Sequence, residues 1–197
     1  MKRLFVAFDI DETLRRELEE RARTFMDQLL ELRKAVRWIP PERYHMTATF
    51  LGDTQEFQLP RIRAVMESFE LPQRVAVRLG PPLVFPKPRE PRVLVCTLEE
   101  GATPLEGITE KLRKGLQERE ISFDQKPFRP HLTVGYLRKR PRKVQREVAD
   151  RWLRERSAQR EGGAVVRIAL YESVLAPSGP THSLLFERPF KGYHSER

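Results

Sequence analysis

The chain has 197 residues, of which 39% are hydrophobic and 33% charged, so it is long enough to bury a substantial core. No apolar run approaches the roughly 18 residues of a transmembrane helix, and an acidic residue follows the first apolar run too early for a signal peptide. The chain has a single cysteine, Cys96, which excludes an internal disulfide. We therefore expect a cytoplasmic protein without membrane contact, whose net charge of +9, with 28 arginines among 37 basic residues, favours a polyanionic partner such as nucleic acid.

Apolar periodicity and turn residues predict strands and helices in alternation along the whole chain. In the first half they predict strands at 4–8, 45–51 and 74–79, a short extended segment at 36–39, and helices at 11–32 and 60–69. The second half begins with a proline-rich loop at 81–91 and continues with strands at 92–98, 131–137, 165–175 and 183–187 and helices at 103–119 and 141–160. Because several strands alternate polar and apolar residues, the pattern favours an α+β fold with antiparallel sheets, without a linker dividing residues 1–197.

Two segments of the chain repeat the same seven-residue pattern. The first is His45-Met46-Thr47-Ala48-Thr49-Phe50-Leu51, and 86 residues later comes His131-Leu132-Thr133-Val134-Gly135-Tyr136-Leu137. On a strand, residues two apart point to the same face, so each histidine projects together with the threonine that follows it. The repeat therefore predicts two His-Thr pairs on rigid elements, each backed by apolar residues on the opposite face.

Two His-Thr pairs on one cleft are suited to acid–base chemistry on a phosphodiester. One imidazole, when neutral, accepts a proton from the attacking oxygen, and the other, when protonated, donates one to the leaving oxygen. The threonine hydroxyls of Thr47 and Thr133 donate hydrogen bonds to non-bridging phosphate oxygens. No acidic cluster accompanies His45 or His131, so we expect neither a metal ion nor any other cofactor.

These motifs resemble those of the two-histidine phosphoesterase superfamily, and most closely the RNA 2′,3′-cyclic phosphodiesterases, also called 2′-5′ RNA ligases (the LigT/ThpR family). The resemblance extends over nearly the whole chain, from the opening strand at 3–7 and the motif regions at 36–52 and 129–133 to the closing strand and turn at 172–180. It implies one two-lobed domain over residues 1–197, in which a pseudo-twofold duplication places an antiparallel sheet backed by helices in each lobe. The active site would then lie in the central cleft.

The resemblance also implies hydrolysis of 2′,3′-cyclic phosphate at RNA ends to a 2′-phosphate. By analogy, His45 is the general acid for the 3′ oxygen, His131 is the general base for water, and Thr47 and Thr133 hold the phosphate. The implied partners are RNA ends, tRNA fragments among them, acted on by a monomer. Two alternatives stay open: an RNA 2′-5′ ligase that joins tRNA halves with the same residues, and a non-catalytic RNA-binding module on the same scaffold.

Two positions depart from the family pattern. Many members carry an arginine where this chain has Tyr136, and strand alternation predicts that Tyr136 points away from His131 unless a bulge intervenes. The missing charge could come from nearby arginines, which we rank as Arg129, then Arg43, then Arg138. The second departure is His182, which stands where the family usually has a tyrosine and is expected to be a rim residue without a role.

Aromatic and basic side chains offer further contacts to RNA. Six basic residues and no acid lie between 138 and 146, which fits either a docking surface for RNA backbone or a solvated helix start. Phe50 is expected in the core by alternation, whereas Trp38 and Phe85 are candidates for stacking on a base. Trp152, among apolar helix positions, is expected to be core.

Overall fold

The computed structural model describes residues 1–155, 162–176 and 179–192. Its strands are β1 (Lys2–Ile10), β2 (Val36–Trp38), β3 (His45–Thr54), β4 (Val75–Phe85), β5 (Val93–Glu100), β6 (His131–Leu137), β7 (Gly163–Ala176) and β8 (Gly179–Pro189). The α-helices are α1 (Glu12–Leu29), α2 (Leu59–Glu67), α3 (Ala102–Glu118) and α4 (Arg142–Leu153). The predicted end of the last helix, at 156–160, lies outside the described residues.

The sheet order is symmetrical about its centre, which confirms the α+β fold with a duplicated, two-lobed antiparallel arrangement. The strands run β2-β6-β5-β4-β7-β1-β3. The remaining strand, β8, pairs with β7 on the edge opposite β1, and every strand pair is antiparallel. Apart from β2 and β8, each half of the chain supplies β-α-β-α-β, namely β1-α1-β3-α2-β4 and then β5-α3-β6-α4-β7. The last strand of each half pairs with the first strand of the other half, so the two lobes exchange a strand.

The strands β4 and β7 join the lobes. The start of β4, at Val75–Val77, pairs with Gly163–Val165 of β7, whereas the rest of β4 pairs with β5. One lobe therefore contains β3, β1, β7 and β8, and the other contains β2, β6, β5 and β4. The two motif strands, β3 and β6, occupy equivalent positions beside β1 and β5, so the repeat seen in the sequence corresponds to a repeat in space.

The helices bury the apolar faces that their periodicity predicts. The α1 residues Leu14, Leu18, Ala22, Phe25 and Leu29 are all buried. The Asp11 carboxylate caps this helix by accepting a hydrogen bond from the Leu14 backbone nitrogen at 2.9 Å. On α4, Trp152 is fully buried, as expected, and its indole nitrogen donates to the carbonyl oxygens of Leu83 and Val95 at 3.1 Å each.

Several boundaries differ from the expectation from sequence, and two of the differences have a clear local cause. The strand β4 continues to Phe85 through Pro81 and Pro82, which were expected to lie in a loop. An extra residue between Leu79 and Pro82 shifts the register there, so the ladder is interrupted where the prolines lack an N–H group. In addition, α3 begins after Gly101 and not at Thr103. Gly101 has φ +89°, and a Cβ there would lie 2.4 Å from the Ala76 carbonyl oxygen.

Candidate active site

The two His-Thr pairs meet in one cleft between the lobes. The cleft has a volume of about 460 Å³, and its lining includes His45 and Thr47 from β3 and His131 and Thr133 from β6. All of these side chains are half-buried. The prediction that the repeat places two histidines and two hydroxyls around a common space agrees with this geometry.

The backbone fixes the same tautomer in both histidines. The Nδ1 atom of His45 lies 2.8 Å from the carbonyl oxygen of Arg43, and the Nδ1 atom of His131 lies 2.5 Å from that of Arg129. Because a carbonyl oxygen only accepts, each Nδ1 must carry the proton and donate it. The Nε2 atom of each ring is then the one that exchanges protons with a substrate.

Burial lowers the pKa of both histidines. Aromatic rings form part of the apolar surroundings, since the centroid of Phe5 lies 5.3 Å from that of His45 and the centroid of Phe85 lies 4.8 Å from that of His131. Two smaller electrostatic effects act in opposite directions. The carboxylate of Asp9 raises the pKa of His45, whereas the charge on His45 further lowers the pKa of His131.

Matching β-bulges place an aromatic side chain on the histidine face of each motif strand. In β3 the pairing with β1 skips Ala48, and in β6 the pairing with β5 skips Val134. Phe50 and Tyr136, each five residues after its histidine, therefore line the cleft. The expectation that Phe50 is core was wrong, since it is 48% exposed. Tyr136 shares the face of His131 because a bulge intervenes, which is the exception to strand alternation noted for this position.

External donors satisfy the carbonyl groups of the bulged residues. The backbone nitrogen of Ile39 donates to the Val134 oxygen at 2.9 Å, and the Arg113 guanidinium donates to the Ala48 oxygen at 3.4 Å. Tyr136 is further supported by Arg37, whose guanidinium carbon lies 4.8 Å from the centre of its ring. The bulges are thus built into the fold, because groups on neighbouring elements complete their hydrogen bonding.

The cleft contains more cations than the sequence predicted. Of the three ranked arginines, Arg129 and Arg43 line the cleft, and Arg138 is not among its lining residues. Three further cations line it: Arg3, Arg113 and Lys126. They come from β1, from α3 and from the segment before β6, so no local motif marks them.

The cleft also contains one acid, Asp124, whose carboxylate lies 3.0 Å from the ammonium group of Lys126. Its backbone and side-chain hydrogen bonds from Lys126 lower the pKa of Asp124. Since Asp124 is therefore ionised at neutral pH, it offsets one of the positive charges. The remaining positive charge still favours an anionic ligand.

His182 lies beside His45, although it was expected to be a rim residue without a role. Its ring centroid is 5.6 Å from that of His45 and 4.9 Å from that of Phe5, edge-on in both cases. The Nδ1 atom of His182 is buried without a hydrogen-bond partner among the described residues. Burial, and then the charges of His45 and Arg43, lower the pKa of His182 to about 4. This imidazole is therefore neutral at physiological pH.

This low pKa predicts an acid-sensitive contribution to stability. Between pH 6.5 and 4 the unfolded chain protonates His182 while the folded protein resists it, so the free energy of unfolding should fall on acidification. The variant His182→Phe keeps an aromatic ring at this position and removes the imidazole that takes up the proton. We expect the wild type to lose more stability than His182→Phe between pH 7.5 and pH 5, as measured by urea unfolding. Identical losses would contradict the low pKa.

The other candidate aromatics separate into two groups. Phe85 lines the cleft edge-on to His131, whereas Trp38 is absent from the lining and packs against Phe25, with the ring centroids 6.3 Å apart.

Within the described ranges, no three His, Cys, Asp or Glu side chains are grouped to hold a metal ion. In the same ranges, none of the helices has the length and hydropathy needed to cross a bilayer.

Comparisons with known proteins identify the fold and the family. The model of the 2′-5′ RNA ligase superfamily matches residues 17–174. The chain is 34% identical over 185 residues to an RNA 2′,3′-cyclic phosphodiesterase of Archaeoglobus fulgidus, covering 91% of this chain and 96% of that one. It is 27% identical over 194 residues to the enzyme of the same name from Thermotoga maritima, with 96% of each covered.

Solved structures agree with this match. A crystal structure of a Thermus thermophilus protein superposes with a TM-score of 0.73 at 28% identity, covering 98% of this chain and 100% of that one. Escherichia coli LigT in its apo form has a TM-score of 0.68 at 19% identity over 96% of this chain and 97% of its own, and so shares the fold. With its paired His-x-Thr strands around one cleft and a family match over most of its length, the chain belongs to the 2′-5′ RNA ligase superfamily.

Proposed function

We propose that the protein hydrolyses 2′,3′-cyclic phosphate ends of RNA to 2′-phosphates, without a metal ion. The observation that carries this proposal is the pair of histidines on one cleft, each with its Nδ1 proton donated to a backbone carbonyl and its Nε2 left for proton transfer. Relatives that cover nearly the whole chain bear the name of this activity. The cationic cleft also suits the charge of the substrate.

In the proposed reaction the two histidines divide the proton transfers. The Nε2 atom of His131 takes a proton from water, and the resulting hydroxide attacks phosphorus. The bond from phosphorus to the 3′ oxygen breaks as Nε2 of His45 donates its proton to that oxygen. The products are a 2′-phosphate monoester and a 3′ hydroxyl, and the hydroxyl groups of Thr47 and Thr133 hold the non-bridging oxygens throughout.

The charges around the histidines support this division of roles. Asp9, the cross-strand partner of His45, favours the protonated form that a general acid needs. A proton on His45 in turn disfavours protonation of His131, which must be neutral to act as a base. These two electrostatic effects raise the pKa of His45 and lower that of His131, while burial lowers the pKa of both.

The same residues can serve 2′-5′ ligation. A 5′ hydroxyl of a second RNA molecule would replace water as the nucleophile, and His131 would take its proton in the same way. The family description favours keeping this activity as a second candidate. A purely RNA-binding role is less well supported, because both His-Thr pairs are present in the cleft. We further propose RNA ends such as those of tRNA fragments as substrates, a monomeric enzyme and a cytoplasmic location.

Product analysis tests the proposed reaction. A short RNA ending in a 2′,3′-cyclic phosphate is incubated with the protein in excess EDTA, and the products are separated by chromatography against 2′- and 3′-phosphate standards. We expect the 2′-phosphate, formed at the same rate with and without EDTA. A 3′-phosphate, or activity that EDTA abolishes and a metal ion restores, would contradict the proposal.

The cleft arginines should contribute to binding of the phosphate itself. Arg129 and Arg43 line the cleft and Arg138 does not, so we expect Arg129→Ala and Arg43→Ala to lower kcat/KM on a 2′,3′-cyclic mononucleotide by about tenfold. Arg138→Ala, with the same loss of charge, serves as the control and should stay within about twofold of wild type. Equal kinetics for all three variants would show that other groups supply the charge.

A further inference from the structure

A second cationic surface lies next to the cleft and takes no part in the proposed chemistry. This basic surface is formed by exposed side chains from three neighbouring parts of the chain: the loop before β5, the loop after β6 and the first turns of α4. Its residues are Arg89, Arg92, Arg138, Lys139, Arg140, Arg142, Lys143 and Arg146. It accounts for much of the positive charge that the cleft does not.

The basic surface groups eight exposed cations, none of which forms an ion pair within the described residues. Some exposed arginines elsewhere have a carboxylate partner on their own helix: Arg16 lies 3.1 Å from Glu12, and Arg63 lies 2.9 Å from Glu67. At the other end of α4, Arg151 lies 2.7 Å from Glu147. In the portion of the chain that the structure describes, no carboxylate lies within ion-pair distance of any cation of the basic surface. Its charges are thus available to an external anion.

Fold stability does not account for this cluster. The first turn of α4 has the positive end of the helix dipole, and its N-cap residue, Pro141, supplies no side-chain hydrogen bond. Arg142 and Lys143 at this end are therefore electrostatically unfavourable in the isolated fold. A polyanion bound at this end would offset the unfavourable interaction, because it is attracted both by the helix dipole and by the two cations.

The basic surface contains a depression that is lined by several of its arginines. It has a volume of about 320 Å³, and its lining includes Arg89, Arg92 and Arg142. The single acid in the lining, Glu90, lies 3.7 Å from the ammonium group of Lys87 and is partly neutralised by it. Cations from two separate segments therefore surround one open space.

Residues that are neighbours along the chain line the depression and the cleft. Arg92 lines the depression, and the next residue, Val93, lines the cleft. The Arg92 carbonyl oxygen accepts a hydrogen bond of 2.8 Å from the backbone nitrogen of Leu137, which follows the cleft residue Tyr136. The edge of the cleft at Val93 and Tyr136 therefore lies beside Arg92 of the basic surface.

We propose that the basic surface binds the phosphodiester backbone of RNA on the 5′ side of the terminal nucleotide held in the cleft; this inference rests on the proposed function. The chemical end, a cyclic phosphate at the 3′ terminus, occupies the cleft, so the remainder of the strand extends in the 5′ direction. Contacts of this kind are independent of base sequence and are weakened by salt. They favour polymeric substrates over mononucleotides.

Paired variants test this surface. In Arg89→Gln/Arg142→Gln, two cations that make no ion pair and lie outside the cleft are neutralised. The control, Lys111→Gln/Lys114→Gln, removes the same charge from exposed positions of α3, a helix that is not part of the basic surface. The substrates are uridine 2′,3′-cyclic phosphate and a ten-nucleotide oligouridylate with the same end. Binding of a 2′-phosphate-terminated oligouridylate is measured separately by fluorescence anisotropy.

We expect Arg89→Gln/Arg142→Gln to lower kcat/KM on the oligouridylate by about tenfold at 50 mM salt and to leave the mononucleotide within about twofold. The slope of log kcat/KM against log salt concentration should become shallower by about 1.4, since each lost contact to a single strand contributes roughly 0.7. Anisotropy should show a matching loss of affinity. The control should behave as wild type.

Equal losses on both substrates, or none on the oligouridylate, would overturn the assignment of the surface. Failure of the proposed function has a different signature. In that case the wild type would hydrolyse neither substrate, while the anisotropy measurement would still report whether binding depends on Arg89 and Arg142. Binding that the double variant does not weaken would reject the surface in either case.

Discussion

His45→Asn and His131→Asn should each lower kcat by at least about a hundredfold on a 2′,3′-cyclic phosphate substrate. Each variant keeps a polar group of similar size and removes the Nε2 atom that transfers the proton, and a positioned acid or base contributes roughly 10²–10⁴-fold. Thr47→Val and Thr133→Val should lose less, about tenfold, because each removes one hydrogen bond. The measurement is steady-state kinetics with variants shown by circular dichroism to be folded.

The pH dependence should distinguish the two histidine variants. In the wild type, activity falls in acid as His131 becomes protonated and falls in base as His45 loses its proton. The residual activity of His131→Asn should therefore lack the acidic limb, and that of His45→Asn should lack the basic limb. Wild-type turnover in either variant would show that the repeated motif is structural.

The variant Trp152→Ala should destabilise the protein by about 3–5 kcal/mol, as large core deletions do. The Trp152 side chain is fully buried, and its ring lies edge-on to Phe25 with a centroid distance of 4.9 Å. Its indole nitrogen connects α4 to β4 and β5. Removal leaves a cavity between α1, α4 and the sheet of one lobe. Urea unfolding measures the loss.

The matched variant is Trp152→Phe, which keeps an aromatic ring and loses the indole nitrogen. We expect it to cost about 1–2 kcal/mol, mainly from the lost hydrogen bonds and the smaller ring. A cost below about 1 kcal/mol for Trp152→Ala would mean that α4 is not anchored through this side chain. The basic surface on the first turns of α4 would then lack a rigid base.

The sequence predicts the histidine and threonine positions well because strand alternation has a fixed period. His45 and Thr47 lie within two residues of each other, as do His131 and Thr133, and no irregularity falls between them. The duplicated fold was implied by the family resemblance, and the two motif strands do occupy equivalent places in the two sheets. Short-range periodicity is therefore sufficient for this part of the site.

Strand alternation does not predict on which face the aromatic residues five positions after each histidine lie. A bulge adds one residue to the strand and reverses the face of everything that follows it. Phe50 was therefore predicted wrongly as core, and alternation alone could not decide the face of Tyr136. The bulges themselves depend on donors from distant elements, such as Arg113 and Ile39. His182 enters the site through the pairing of β8 with β7, which local sequence does not encode.

The division of labour between His45 and His131 can be tested with a substrate that needs no general acid. In such a substrate the 3′ oxygen of the cyclic phosphate is replaced by sulfur, and the thiolate leaves without protonation because a thiol is far more acidic than an alcohol. The account predicts that His45→Asn cleaves this substrate at close to the wild-type rate, whereas His131→Asn remains at least about a hundredfold slower. A near-wild-type cleavage rate for His131→Asn on this substrate, or a slow rate for both variants, would contradict the assigned roles of the two histidines.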